Sequence, residues 1–512
     1  MVMFRKAASL GSIATAIMSN GKTSGIWGDS LRYAPSAFIP AATAVLAAGV
    51  FTRLFTPSQY GLYGLVLAIL APVATVIGQS VGNGTGRYYI EYRRDGKLTT
   101  YRQAVTWLVV VGWLVCASLT GVASLIVGVV VHSTTLLWMV LGAGVLVGIQ
   151  STVTMLIPIL SSSFQPTYYS LVNGAAALLS FGTALTLVWS LGHHAYWLIW
   201  GSVIGQAFIA PILLRRFPLS SVRSIIRLPD EVRRAVIEFV SYGVPMVFWV
   251  LSASVMGLAD RTLLQVFRGS AAVGIYGINS NMAGQAVGLV IGPFITASWP
   301  ILMKDWAESG QAAVQKAMTS FTRSYLALSI GIIGVSVVVV KPLESILLGP
   351  RFVHGAYLLV PCLIGRVLWG GGRLGHSILK LANRTGTLAM DALAAAAFNV
   401  MLTVVLVPSM GMLGAAYSLI PSFALYAGLV WMQSRAVVPW AIDWRHLAGS
   451  VFGAVVAIAM ATMINAHMPP MNLVRLAAGT AVFGAVYGLC QVALAGGVPK
   501  LTLRNKGEPH IG

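Results

Sequence analysis

The stretch Ala104–Gly128, A-V-T-W-L-V-V-V-G-W-L-V-C-A-S-L-T-G-V-A-S-L-I-V-G, decides the fold. It carries no charge over a length that, as a helix, crosses a hydrocarbon core of about 30 Å. The apolar residues run continuously instead of alternating, which argues against a strand of a membrane barrel. On its N-terminal side, residues 83–103 hold Arg87, Arg93, Arg94, Lys97 and Arg102. Further outward in both directions the pattern repeats as apolar blocks joined by short connectors. The blocks fall at 33–53, 61–82, 104–128, 135–158, 168–190, 195–214, 236–258, 272–300, 323–340, 356–380, 386–407, 412–433, 446–466 and 473–495. Composition agrees: 57% of the 512 residues are hydrophobic and 9% are charged, against about 25% charged in a soluble domain. The expectation is an all-α polytopic membrane protein with about fourteen transmembrane helices. Twelve is the lower count, because the ninth block is short and the connection after the fourth has no basic residue.

Lys and Arg set the orientation. With the N-terminus inside, the inner segments hold 25 of the 33 basic residues. Outer connections and span edges hold Arg53, Arg261, Arg268, Lys341, Arg351 and Arg475, while Arg366 and Arg373 fall inside a span. Both ends are therefore expected in the cytoplasm. The formal net charge of +20 follows from this topology and from attraction to anionic lipid, so no nucleic-acid partner is implied.

Several local patterns carry no chemistry of their own. Residues 7–18 read as an interfacial or disordered stretch rather than a cleaved signal. Ala16–Thr23 approaches a phosphate-binding loop, but such a loop works only between a buried strand and a helix. Asn83-Gly84-Thr85 fits a glycosylation acceptor but falls in an inner connection. Cys116, Cys362 and Cys490 all lie in spans and read as small core hydrophobes.

Gly61-Leu62-Tyr63-Gly64 recurs as Gly274-Ile275-Tyr276-Gly277, 213 residues on. Both copies open a span that starts from the outside, which indicates a parallel repeat with its axis along the membrane normal. The expected organisation is a cytoplasmic N-terminal segment (1–32), a first lobe of six spans (33–214) and a basic linker (215–235). A second lobe (236–434), two extra spans (435–495) and a cytoplasmic tail (496–512) follow. Two lobes around a cavity is the architecture of alternating access.

Tyr242-Gly243-Val244-Pro245-Met246, Ala259-Asp260-Arg261-Thr262-Leu263-Leu264 and Gly274-Ile275-Tyr276 together resemble the start of the second lobe in bacterial polysaccharide flippases. These are the O-antigen and exopolysaccharide unit exporters of the multidrug/oligosaccharidyl-lipid/polysaccharide superfamily. The outer turn from Arg53 to Gly64 is similar to that family too, as is Val407-Pro408 followed by Gly411 and Gly414-Ala415-Ala416. The resemblance covers most of 33–434. It implies a non-enzymatic, cofactor-free transporter of the bacterial inner membrane. Its cargo would be undecaprenyl-diphosphate-linked sugar units, moved from the cytoplasmic to the periplasmic leaflet. A polysaccharide polymerase and chain-length machinery would be its partners.

The ionisable residues can be read independently. A charge at the centre of a bilayer costs about 2.5–3.5 kcal/mol on insertion scales, so it faces a cavity or a partner. Arg366, Arg373, His376 and Lys380 fall within about 80° of one another on a helix and form a basic stripe. Gly370-Gly371-Gly372 between the arginines is expected to weaken that helix where it lines a cavity. Arg forks there suit a diphosphate, whereas Lys380 and His376 read equally well as anchors at the inner edge. Asp391 reads either as the ion-pair partner of this stripe or as a proton-exchange group. Asp260, beside Arg261, reads as a structural contact or a coupling site, and Glu238 as an interfacial residue. The amides Gln79, Gln150, Asn173, Gln206, Asn279, Asn281, Gln285 and Asn399 could line a sugar cavity or join helices.

Three alternatives stand beside the polysaccharide reading. A cation or drug exporter of the same superfamily would need an acid in its first lobe, where spans one to six have none. A flippase for the peptidoglycan lipid precursor would share fourteen spans and basic residues, but the first-lobe spans lack deep arginines. A membrane polymerase or sugar transferase would need a sizeable outer loop with catalytic acids or bases, and no connection here is long enough.

Overall fold

The computed structural model describes residues 26–162, 166–217, 219–220, 229–382 and 384–493. The expectations for residues 7–18, Ala16–Thr23 and the tail at 496–512 lie outside them, as does most of the basic linker. The described chain is all-α, as expected. Its helices are α1 (Ile26–Leu54), α2 (Pro57–Arg94), α3 (Leu98–Ile126), α4 (Thr134–Ser162), α5 (Pro166–Leu191) and α6 (Tyr196–Arg216). They continue with α7 (Asp230–Val290), α8 (Gly292–Glu308), α9 (Gly310–Leu347), α10 (Leu359–Leu381), α11 (Thr385–Met410) and α12 (Met412–Arg435). The last two are α13 (Trp444–His467) and α14 (Asn472–Ala493). Among the described residues, eleven helices are long and apolar enough to cross a membrane. The apolar part of α1, Phe38–Leu54, and the two arms of α7 occupy the places of the other three expected blocks.

Local chemistry explains the outer turn that opens α2. Thr56 and Gln59 form a reciprocal capping box, and Pro57 sits in the first turn, where its missing N–H costs nothing. The helix then runs 38 residues, about 57 Å at 1.5 Å per residue, so Arg87, Arg93 and Arg94 extend past the hydrocarbon. Asn83 lies within this helix, and Thr85 beside it is buried.

Several span boundaries differ from expectation, among them the ends of the blocks at 61–82 and 323–340, which lie in the longer helices Pro57–Arg94 and Gly310–Leu347. The seventh block does not end at 258. Its helix continues to the bend at Gly269, whose φ of 79° suits a glycine. The eighth block divides instead of running to 300, because α7 stops at Val290 and α8 starts at Gly292 with a proline in its first turn. A further difference lies in α10. The helix is unbroken through Gly370-Gly371-Gly372. A Cβ on Gly370 would stand 2.6 Å from the Tyr325 hydroxyl oxygen, and one on Gly372 would stand 2.5 Å from the Tyr426 ring. The glycines therefore admit two aromatic neighbours instead of unwinding the helix. Trp369 stacks on the same Tyr426 at 4.4 Å.

Helices α1–α6 pack around two apolar clusters, one of which also takes Val232, Ala235, Val236 and Phe239 from the start of α7. The remainder of α7 joins α10, α11 and α12 around another. Helices α13 and α14 pack on each other and on α9. Tyr487 donates to the Ala327 carbonyl at 2.7 Å, and Arg323 meets Asp443 at 2.6 Å. The two halves of the chain meet chiefly where α2 lies along both arms of α7.

Candidate functional site

A cavity of about 510 Å³ lies between α1 and α2 of the first half and α7 and α10 of the second. The first half contributes apolar and aromatic residues, among them Phe51, Tyr60 and Tyr63. The second contributes Ser280, Asn281, Gln285, Arg261 and Arg366. On the side of the outer turns the halves are in direct contact. Arg53 donates to the carbonyls of Leu347 at 2.8 Å and Ile346 at 2.6 Å. The Gly349 N–H donates to the Thr52 hydroxyl at 2.9 Å, and Tyr60 meets the Phe352 ring edge-on at 5.8 Å.

The two guanidiniums define the cavity's chemistry. Arg366 enters from α10 and donates weakly to the Ser280 hydroxyl at 3.4 Å, while its buried Nε has no hydrogen-bond partner among the described residues. Arg261 comes from α7 and donates to the Gly64 carbonyl at 3.1 Å and the Asn281 side-chain oxygen at 3.2 Å. Each lies within electrostatic reach of the other. Among the described residues neither forms an ion pair with a carboxylate. Donors outnumber acceptors here, an arrangement able to receive an anion.

Asp260 and Arg261 point to different places, as neighbours 100° apart on a helix must. The Asp260 carboxyl is buried and accepts from the Tyr276 hydroxyl at 2.7 Å and the Thr403 hydroxyl at 3.2 Å. It ties the two arms of α7 to α11 and lies within the field of both arginines. An Asp260–Arg261 ion pair, one of the expected readings, is replaced by this hydrogen-bonded tie.

The expected basic stripe divides. Arg366 lines the cavity. Arg373 lies two turns on, about 10 Å along the axis, and is exposed. His376 is buried with its Nδ1 3.3 Å from the Tyr426 hydroxyl, and Lys380 is half-buried in the last turn. Asp391 is buried and accepts from the Gln433 amide at 2.7 Å. It makes no ion pair with Arg366 or Arg373. Arg261 was the missed residue. The hydropathy break at Asp260-Arg261 places it at a span edge, whereas the helix continues eight residues further to Gly269, so Arg261 sits about 12 Å below that end.

No family model and no curated protein sequence matches the chain. Among solved structures, the fold is similar to the lipid II flippase MurJ in an inward closed conformation. The TM-score is 0.68 at 11% identity, covering 90% of this chain and 98% of that one. It is also similar to an inward-facing multidrug resistance MATE family transporter of the MOP superfamily, with TM-score 0.62, 12% identity, and 79% and 97% covered. A third likeness is to a MOP superfamily transporter from Pyrococcus furiosus described as having a binding pocket of reversed polarity. There the TM-score is 0.57 at 12% identity, with 81% and 98% covered. These likenesses establish the fold alone: a polytopic helical membrane protein whose architecture is shared with these three solved structures.

Proposed function

We propose that this protein is a flippase that moves undecaprenyl-diphosphate-linked oligosaccharide units across the bacterial inner membrane by alternating access, for polysaccharide synthesis. The observation that carries this reading is the pair Arg261 and Arg366, which face one cavity between the two halves without a carboxylate ion partner. Planar guanidinium forks suit the paired oxygens of a diphosphate. In this scheme residues 33–214 and 236–434 act as two lobes, with 435–495 appended. The diphosphate and its sugars enter from the cytoplasmic leaflet while the polyprenyl tail stays in lipid. Arg373, exposed two turns from Arg366 on the same face, passes the headgroup on to Arg366, with His376 and Lys380 nearer the cytoplasmic end. Rocking of the lobes about the α2–α7 seam then opens the cavity to the other side. Both chain ends are cytoplasmic, the protein has no enzymatic step, and a polymerase with its chain-length machinery receives the cargo.

A second reading has one observation in its favour: the likeness to the lipid II flippase extends over 90% of the chain. A peptidoglycan precursor would present the same diphosphate to the same arginines. The discriminating experiment is deletion of the gene followed by analysis of the lipid-linked glycans left in the cytoplasmic leaflet. Accumulation of a polysaccharide repeat unit supports the proposal. Accumulation of the peptidoglycan precursor with arrest of wall synthesis supports the second reading. Unchanged lipid-linked glycans overturn both.

A further inference from the structure

A second cavity, of about 280 Å³, lies within the first half of the chain and has a different character. Its polar lining consists of Thr75, Gln79, Gln150, Thr154, Asn173 and Gln206, drawn from α2, α4, α5 and α6, and the rest is aliphatic. Among the described residues no charged side chain lines it. Asn173 donates one amide N–H to the Tyr169 carbonyl of its own helix, at 2.9 Å. The side chains of Gln79, Gln150 and Gln206 have no hydrogen-bond partner among the described residues, and each is only partly buried. A glutamine amide brings two donors and an acceptor with two lone pairs. Three of them line one space inside a helical bundle without satisfying each other, so their donors and acceptors are free to meet a ligand there. Helix-joining amides would have met across the bundle, and these do not.

We infer that this cavity is a subsite for an uncharged, hydroxyl-rich ligand, namely sugar residues of the lipid-linked glycan. Without a carboxylate it is a poor cation site, and without Arg, Lys or His a poor anion site. Amides offer both donors and acceptors, which matches hydroxyl groups that also do both. The aliphatic walls from Ala74, Val153, Ile157 and Ile209 suit the C–H faces of a sugar ring. The cargo's two chemistries are thereby separated in the protein: charge at Arg261 and Arg366, hydroxyls at the glutamines. The inference rests on the proposed flippase function, since it assigns the glycan part of that same cargo.

The test compares two probes on the purified full-length protein in lipid nanodiscs. One is undecaprenyl diphosphate, which has no sugar. The other is the lipid-linked oligosaccharide fraction extracted from cells that make the protein. The wild type is expected to bind the glycan-bearing lipid about tenfold more tightly, as a few net hydrogen bonds would give. Gln150→Leu/Gln206→Leu is expected to erase that difference. A Thr154→Cys variant supplies a measurement that does not depend on the double variant folding. Its labelling by a maleimide should be slowed by the glycan-bearing lipid and not by undecaprenyl diphosphate. Equal affinity for the two probes in the wild type, or labelling of Cys at 154 indifferent to both, overturns the subsite while leaving the flippase reading intact. Failure of the wild type to bind either probe overturns the flippase reading itself.

Discussion

Gly61 and Gly274, the first residues of the two repeated tetrapeptides, pack against each other where α2 meets the second arm of α7. A Cβ on Gly61 would stand 1.8 Å from the Ser270 carbonyl oxygen and 2.9 Å from the Gly274 nitrogen. A Cβ on Gly274 would stand 2.1 Å from the Pro57 carbonyl oxygen. The motif recurs because each copy meets the other's start, backbone against backbone. That reciprocity is what a two-fold-like relation between the halves requires.

Side chains at these positions are therefore expected to force the outer contact apart. Gly61→Val and Gly274→Val should each lower the thermal midpoint of the purified protein, by the roughly 1–3 kcal/mol typical of overpacking. Gly64→Ala, where a Cβ meets nothing within 4 Å, should leave the midpoint within about 0.5 kcal/mol, as for surface changes. Parallel melts of the three variants decide this, and equal midpoints would remove the seam as a structural constraint.

Arg261→Ala and Arg366→Ala should each leave the protein inserted and abundant while abolishing glycan export. Among the described residues neither arginine forms an ion pair with a carboxylate, and the buried Asp260 within their field keeps its hydrogen bonds to Tyr276 and Thr403, so neither loss strands an unpartnered counter-charge of the kind that costs about 3–5 kcal/mol. Replacement by Lys keeps the charge and loses the fork, so export should recover in part. Arg373→Ala should weaken export less than either. Full export by an abundant Arg261→Ala/Arg366→Ala variant would exclude this cavity as the diphosphate site.

Tyr276→Phe removes the hydroxyl that donates to Asp260 at 2.7 Å. The expected cost is about 1–3 kcal/mol, the range for a buried acceptor losing its donor. With Asp260→Asn already present, the same change should cost clearly less, because the two residues act as one unit. Denaturation of all four members of this double-mutant cycle gives the coupling, and strict additivity would contradict the tie.

Glu344 is fully buried near the end of α9, and neither of its carboxyl oxygens has a hydrogen-bond partner among the described residues. A buried polar group without partners costs about 1–3 kcal/mol, a cost that an apolar side chain of similar size in its place would remove. Glu344→Met should therefore raise the thermal midpoint. A lowered midpoint would mean that the carboxyl has a role in stability that the surrounding packing does not disclose.

Reporter fusions after residue 95, after residue 225 and at the C-terminus should all report the cytoplasm, as the Lys and Arg distribution requires. A fusion within the turn at Gly192 should report the opposite side. A periplasmic signal at 225 would break the two-lobe scheme.

Much of this architecture was legible because hydropathy reports the one property the bilayer selects. The block at 412–433 became Met412–Arg435, and 386–407 became Thr385–Met410. Hydropathy is blind where a helix continues through polar residues, which is why 236–258 stopped short of Asp260 and 323–340 missed both ends of Gly310–Leu347. Glu344 was passed over for the same reason. In the candidate site, Arg366 could be read because a charge deep in a span demands an explanation. Arg261 could not, since its depth depended on where its helix ended. The glycine run failed differently. Three glycines predict a weak helix, but their partners Tyr325 and Tyr426 are distant in sequence and only tertiary structure brings them there. Asp391 likewise found Gln433, an uncharged partner no charge pattern could indicate.

The seam between α2 and α7 is main chain against main chain at both of its ends. Beyond Gly61 and Gly274, a Cβ on Gly243 would fall 1.7 Å from the Ser80 carbonyl oxygen, and one on Gly84 would fall 2.4 Å from that of Phe239. Interlocked large side chains would have to withdraw from their sockets before such a joint could move. At these glycines there is nothing to withdraw, although Tyr88 and Tyr92 of α2 pack on Phe239 of α7 at the inner end and Tyr92 donates to Glu238 at 3.0 Å. In lipid, moreover, parting two apolar helices carries no hydrophobic penalty of the kind water imposes. In the proposed rocking these glycine contacts would act as a smooth bearing: they hold the halves in register, while the side-chain hydrogen bonds, Arg261 to Gly64 and Arg53 to Leu347 among them, act as latches that have to open.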